Sequence, residues 1–375
     1  MTSSTPADPQ IEHLTREQYD AMRGQAPRVE RGMLLVGDRR FDARALLACP
    51  GCVPVAVSAV MQWTERYAAL THAANPAQLP ALLFDASGDP WPLAHYFPGA
   101  GILADEQRAA WFAQVGAVAA QPQLDVRLMG ESQHDVTSEL PASARWLVAG
   151  HVVEVLGQRP DILQAFLSRS RKIRLYTSAR AFEDDGGIAG GDYDAANERV
   201  QIGLGRLFEG FGGQRPGVAP FLHELGHMFD AFHVATGELG RAMGLLPGLA
   251  PEDGPLYDAE ARRLFSEGKA LEARRYEDLR SARAGAGADR ALPIGHPYVF
   301  QNDGEFIAGY LELFLRTPRR FAALNPQLYG ALARLLRQDP RAAWPEDFGY
   351  YVRENEAAYL PGKPLGPSGI SIPTP

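Results

Sequence analysis

His223 and His227 stand four residues apart in a segment that is otherwise almost wholly apolar: Pro220-Phe221-Leu222-His223-Glu224-Leu225-Gly226-His227-Met228-Phe229-Asp230. Phe221, Leu225, Met228 and Phe232 fall at helical spacing, and Leu222 and Phe229 widen the stripe, so the segment predicts a largely buried helix. Pro220 suits its first turn, where a missing N–H costs nothing. At this spacing both imidazoles leave the same helix face. Buried imidazoles need hydrogen-bond partners or a metal, and two neutral ring nitrogens side by side can reach one ion at about 2.0–2.1 Å. Glu224 lies beside them, placed to act on a water rather than to ligate. His-Glu-x-x-His on a helix is a zinc-peptidase signature. Gly226 costs ~1 kcal/mol relative to alanine in mid-helix, a cost a helix accepts more readily where another backbone must come close.

A catalytic zinc needs a third protein ligand and an open position. One candidate is His233, six residues after His227, at the spacing of the H-E-x-x-H-x-x-G-x-x-H pattern. The glycine that lets the chain turn in that pattern is Asp230 here, so the helix is expected to continue and to carry His233 about 120° away from His227. The other candidate is a glutamate from a second apolar helix over residues 303–314. Past the opening Asp303, only Glu305 and Glu312 are charged inside it, seven residues apart and on one face. Carboxylates on such a helix are costly unless paired or metal-bound; an exposed polar stripe is the competing reading.

The 375 residues suggest two domains. Hydrophobic residues make up 46% and charged residues 22%, enough for a real core. A net charge of -8 argues against nucleic acid and against an anionic membrane surface as partners. The uncharged run over residues 45–64 has the length of a membrane span, but Pro50, Gly51, Pro54 and Gln62 interrupt it. No membrane span is expected. The first residues lack a basic region followed by an apolar stretch, so the expected location is cytoplasmic, or outside by a route without a standard signal peptide. Cys49 and Cys52 form a single C-x-x-C without a second half, read as two small side chains at a turn.

Strand-like runs occur at residues 33–36, 81–84, 173–176 and 199–204, and helical periodicity at 55–70, 106–118 and 258–284. A polar, turn-rich stretch at 130–141 suggests a boundary. The expected fold class is α+β, with a mixed α/β N-terminal domain over 1–140, a peptidase domain over 141–360, and a flexible tail over 361–375. Because Val200, Ile202 and Leu204 precede the metal helix, their strand is expected to be a sheet edge that pairs with an extended peptide substrate. The glycine loop over 186–191 is a candidate for the rim of that cleft.

Beyond these patterns, His223-Glu224-Leu225-Gly226-His227-Met228-Phe229-Asp230 resembles the H-E-x-G-H-x-x-D of lethal-factor-like gluzincin peptidases, the relatives of the anthrax toxin lethal factor. Glu305-Phe306-Ile307-Ala308, with Asn302 before it and Tyr298 seven positions upstream, resembles the second half of their active site. Residues 305–340, including Thr317-Pro318, Asn325-Pro326-Gln327-Leu328-Tyr329 and Arg337-Gln338-Asp339-Pro340, are also similar to the Mlc titration factor A peptidases of the same broad group. The resemblance covers roughly residues 170–340. It implies a zincin-like domain, a zinc ion held by His223, His227 and Glu305, a carbonyl-stabilising role for Tyr298, and a supporting role for Asp230 beside the ligands. It departs at Gly309, where lethal-factor-type proteins carry a second glutamate.

The mechanism so implied is peptide hydrolysis by a zinc-activated water, with Glu224 as general base. A protein or peptide is the expected substrate, and a protein-targeting effector is one setting for it. The alternative, from a different class, is a catalytically inactive metal-binding protein that uses the same fold to bind a partner.

Overall fold

The computed structural model describes residues 105–129, 142–176, 179–187, 191–207, 218–230, 259–283, 291–343, 347–360 and 364–372, with the backbone of three short strands nearer the N-terminus. Those strands are β1 (Arg28–Glu30), β2 (Met33–Val36) and β3 (Arg39–Asp42). They form an antiparallel sheet in that order, with Arg28 opposite Leu35 and Met33 opposite Asp42. Residues 55–70, 81–84, Cys49 and Cys52 lie outside the described residues.

The remainder is a mixed α and β structure in which helices predominate. Its first part runs α1 (Asp105–Ala119), β4 (Leu124–Met129), α2 (Ala142–Leu156), α3 (Pro160–Phe166), β5 (Arg171–Tyr176), α4 (Ala179–Asp184), β6 (Gly191–Asp194), β7 (Arg199–Gly203) and α5 (Leu204–Leu207). Then come the motif helix α6 (Pro220–Asp230) and the long helix α7 (Ala259–Arg283). A short 3-10 turn, Pro297–Phe300, leads into α8 (Asp303–Arg316), α9 (Pro318–Leu324), α10 (Pro326–Leu336), α11 (Pro340–Ala343) and α12 (Gly349–Ala358). Proline at the first turn of α6, α9 and α10 fits the fixed φ of that position.

The second sheet has the order β4-β5-β7-β6. β4, β5 and β7 are parallel, and β6 closes the row antiparallel to β7. Strand alternation puts Val126, Leu128, Ile173, Leu175, Val200 and Ile202 in the core. The motif helix packs against β6 and β7. These strands share one continuous hydrophobic core with α1, α2, α6, α8 and α10. The boundary expected near residue 140 is therefore misplaced. β4 pairs residue by residue with β5 (Leu124 with Arg171, Met129 with Tyr176), and Val115 and Val118 of α1 are buried in the same core, so residues 105–129 belong to the same body as β5 and the motif helix.

The expected flexible tail is also corrected. Residues 364–372 lie against the body, with Leu365 and Ile370 packed on the core and Gly369 N–H donating to Phe300 O at 2.8 Å. Among the described residues no helix is long and apolar enough to cross a membrane.

A buried ion pair ties α8 to α2. Arg316 grips Glu154 with both guanidinium nitrogens, at 2.7 and 3.0 Å. Burial pushes the Glu154 carboxyl up, but Arg316 and the contact with His151 outweigh it and bring it to about 2. A carboxyl depressed on folding stabilises fully above its unfolded value near 4.5, and that contribution is lost as the pH falls toward about 2. Glu154→Gln strands Arg316 and is expected to cost about 3–5 kcal/mol at neutral pH. Thermal melts of both proteins against pH check this, since the gap should narrow steadily below pH 4.5.

Candidate metal centre

The packing of α6 fixes which of its side chains stay available. Phe221, Leu222, Leu225, Met228 and Phe229 are all buried, which leaves the face carrying His223 and His227 turned toward α8. Their rings stand 4.9 Å apart, edge to face. α8 starts at Asn302, whose side chain caps the helix by accepting the Glu305 N–H at 2.9 Å. Glu305 thus occupies the first turn, where the helix dipole favours a carboxylate. Phe306, Ile307, Tyr310, Leu311 and Phe314 bury the opposite side of α8 in the core.

The two helices cross at small residues, Gly226 and Ala308. A Cβ on Gly226 would stand 2.8 Å from Ala308 Cα and 3.1 Å from Ala308 Cβ. Only glycine fits, and the close crossing brings Glu305 over the histidines. Glu305 Oε2 lies 3.0 Å from His223 Nε2 and 3.3 Å from His227 Nε2. One ligand atom from each of the three lies within 4.8 Å of the others, the one such group among the described residues. Two imidazoles and a carboxylate are a suitable donor set for a divalent cation. All three side chains remain 13–16% exposed, so the group is reachable from solvent.

The electrostatics agree with a place for positive charge. Burial lowers the basicity of His223, but hydrogen bonds to Glu305 and Glu312 outweigh it and hold the ring well above its usual range. Burial raises the Glu305 carboxyl, but the two imidazoles more than reverse this and hold it below the carboxylate range. A protonated His223 ring offsets carboxylate charge at this place. Glu224 behaves differently. It is 9% exposed, and burial raises its pKa, with Glu305 and Asp192 pushing the same way against the two histidines.

Glu312, the second of the two acids on α8, also has a defined place. Its Oε2 lies 3.2 Å from His223 Nδ1. Its Oε1 accepts the Tyr351 hydroxyl of α12 at 2.5 Å, and that hydroxyl in turn accepts the Ala219 N–H at 3.0 Å. A carboxylate there fixes a proton on Nδ1 and leaves Nε2 free to ligate. The spacing of seven is visible in sequence; the partner on α12 is not. Gly309 has no room for the glutamate of the resembled pattern, since its Cβ would meet Val299 Cγ1 at 2.4 Å. Glu312→Gln is expected to weaken divalent-metal affinity about 10- to 100-fold, measured by competition with a chromophoric chelator.

Asp230 is fully buried at the end of α6, and its charge acts on the ammonium of Lys269. Tyr298 is 42% exposed, with its ring 6.1 Å from that of His223 and its hydroxyl hydrogen-bonded to Glu305. Burial and the Glu305 charge keep that hydroxyl protonated. His233 lies outside the described residues. The expected substrate strand is wrong. β7 is bonded on both sides, by β5 and by β6, and Val200 and Ile202 are fully buried. Leu204 begins α5, and its side chain is outside the described residues. Among the described residues the last strand of the sheet is β6, which also packs against α6. It begins at Gly191, where a Cβ would stand 3.4 Å from Glu224 Oε1. The glycine loop thus ends beside Glu224.

No protein-family model matches this chain, and no curated protein matches it significantly.

Proposed function

We propose that the protein is a zinc-dependent peptidase whose described body is a zincin-like domain, with the metal held by His223, His227 and Glu305. The observation that carries this reading is the position of Glu224. A buried acid with a raised pKa stands on the same helix as two histidines that share a carboxylate with a second helix. A site that only stored a cation would have no use for such a base.

A zinc ion held by His223, His227 and Glu305 would supply Lewis acidity, which makes water available as a nucleophile near neutral pH. Glu224 takes the proton of the attacking water and passes it to the nitrogen of the leaving amine. Its raised pKa suits it to hold the proton between these events. Negative charge gathers on the carbonyl oxygen, and Tyr298 can donate its hydroxyl there once it leaves Glu305. Glu312 holds His223 in one tautomer throughout. An extended peptide adds at β6, the last strand of the sheet among the described residues, with backbone hydrogen bonds within residues 191–194. The bare Cα of Gly191 leaves the approach to Glu224 open.

The test is metal analysis of the purified full chain joined to cleavage of a peptide library. Stoichiometric zinc is expected, with cleavage abolished by a chelator and restored by added zinc. Zinc-free protein with undiminished cleavage, or protein that binds no divalent ion, removes the proposal.

A further inference from the structure

Residues 364–372 come after α12 as an extended stretch outside any helix or strand. Their Pro, Gly and Ser content alone would leave them loose. Instead they are anchored along their length. Tyr276 of α7 donates its hydroxyl to Gly366 O at 2.9 Å, and Ser368 N–H donates to Glu277 Oε1 at 3.2 Å. Gly369 N–H donates to Phe300 O at 2.8 Å, and Ser371 N–H to Asp303 Oδ1 at 2.8 Å. The Ser371 hydroxyl donates to the other oxygen, Asp303 Oδ2.

The last three anchors fall on the short link between two groups of the metal centre. Tyr298 lies two residues before Phe300, and Glu305 two residues after Asp303. Gly369 sits so close to this link that a Cβ would stand 2.0 Å from Gln301 O. From the core side, the fully buried Lys269 reaches Asp303 Oδ1 at 2.5 Å. Asp303 is therefore held from within by α7 and from without by Ser371. A four-residue 3-10 turn has poor hydrogen-bond geometry of its own, and Tyr298 on it is 42% exposed. Catalysis needs such groups held closely, since a 1 Å displacement can cost about 10²-fold in rate.

We propose that residues 364–372 are a strap that positions Tyr298 and Glu305 against His223 and His227, with Ser371 and Gly369 as its positioning residues. Its consequence for catalysis rests on the peptidase reading above; the clamping itself does not.

The test uses full-length Ser371→Ala, Ser371→Thr and Gly369→Ala. In metal-free protein, amide exchange over residues 299–305 is expected to quicken in Ser371→Ala and Gly369→Ala while the melting temperature stays near that of the parent. Zinc affinity, by competition with a chromophoric chelator, is expected to fall about 10-fold. A loss in kcat of about 10-fold or more, with KM unchanged, is expected beside it, and Ser371→Thr restores all three. Parental exchange, affinity and kcat in both variants overturn the strap. If Gly369→Ala fails to fold, Ser371→Ala against Ser371→Thr decides alone. If the parent protein binds no zinc and cleaves nothing, the peptidase reading falls, and the exchange measurement still upholds or overturns the clamp.

Discussion

Replacing Glu224 by Gln is expected to lower kcat about 10³-fold while the purified protein keeps its zinc. The two parts of that result have separate causes. Glutamine has the shape of glutamate and fills the same buried place on α6, so packing and ligands stay as they are. It cannot take a proton from water, so the step assigned to Glu224 is lost. His223, His227 and Glu305 do not depend on Glu224 for their mutual distances. Zinc content and steady-state kinetics on one preparation check both parts. A variant with full zinc and more than about a tenth of the parental rate would assign the base to another group.

Gly226→Val should act on stability and metal together. Valine needs space where the backbone of Ala308 stands 2.8 Å away, and backbone cannot rotate aside as a side chain would. The two helices must separate. Overpacking of this kind costs about 1–3 kcal/mol, and each kcal/mol lowers the melting temperature by roughly 2–4 °C in a chain of this class. The larger effect is on zinc, because the two imidazoles ride on α6 and the carboxylate on α8. A displacement of even about 1 Å takes Glu305 out of shared range. Calorimetric melting and chelator competition measure the two effects. Parental zinc affinity in the variant would mean that the crossing distance does not set the site.

The readable parts of this chain are those governed by local pattern. The apolar stripe beside His223 and His227 forces a buried helix, and the unusual glycine at 226 points to a close neighbour, which is Ala308. Glu305 stands out because charge is rare within residues 303–314. Pairings between distant segments are not legible in this way. Gly191-Asp192-Tyr193-Asp194 is too short and polar to signal a strand, so the more hydrophobic 199–203 reads as the edge, although that very hydrophobicity reflects burial between two neighbours. β4 reads as part of another domain because its parallel pairing with β5 leaves no turn signal between them. Gly369 and Ser371 read as tail because their partners, Phe300 and Asp303, lie some seventy residues away.

The terminal strand β6 also bears on how copies of the protein behave toward one another. A strand at the end of a sheet can invite a second copy to add to it, and with it aggregation. β6 is four residues long, and Asp192 and Asp194 project from the same face. Asp192 accepts from Gln201 at 3.2 Å and Asp194 pairs with Arg199 at 3.1 Å, so each is held in a fixed place along the strand. A short, acidic terminal strand is a poor template for a second copy, and neutralising both aspartates should make the protein self-associate in proportion to its concentration.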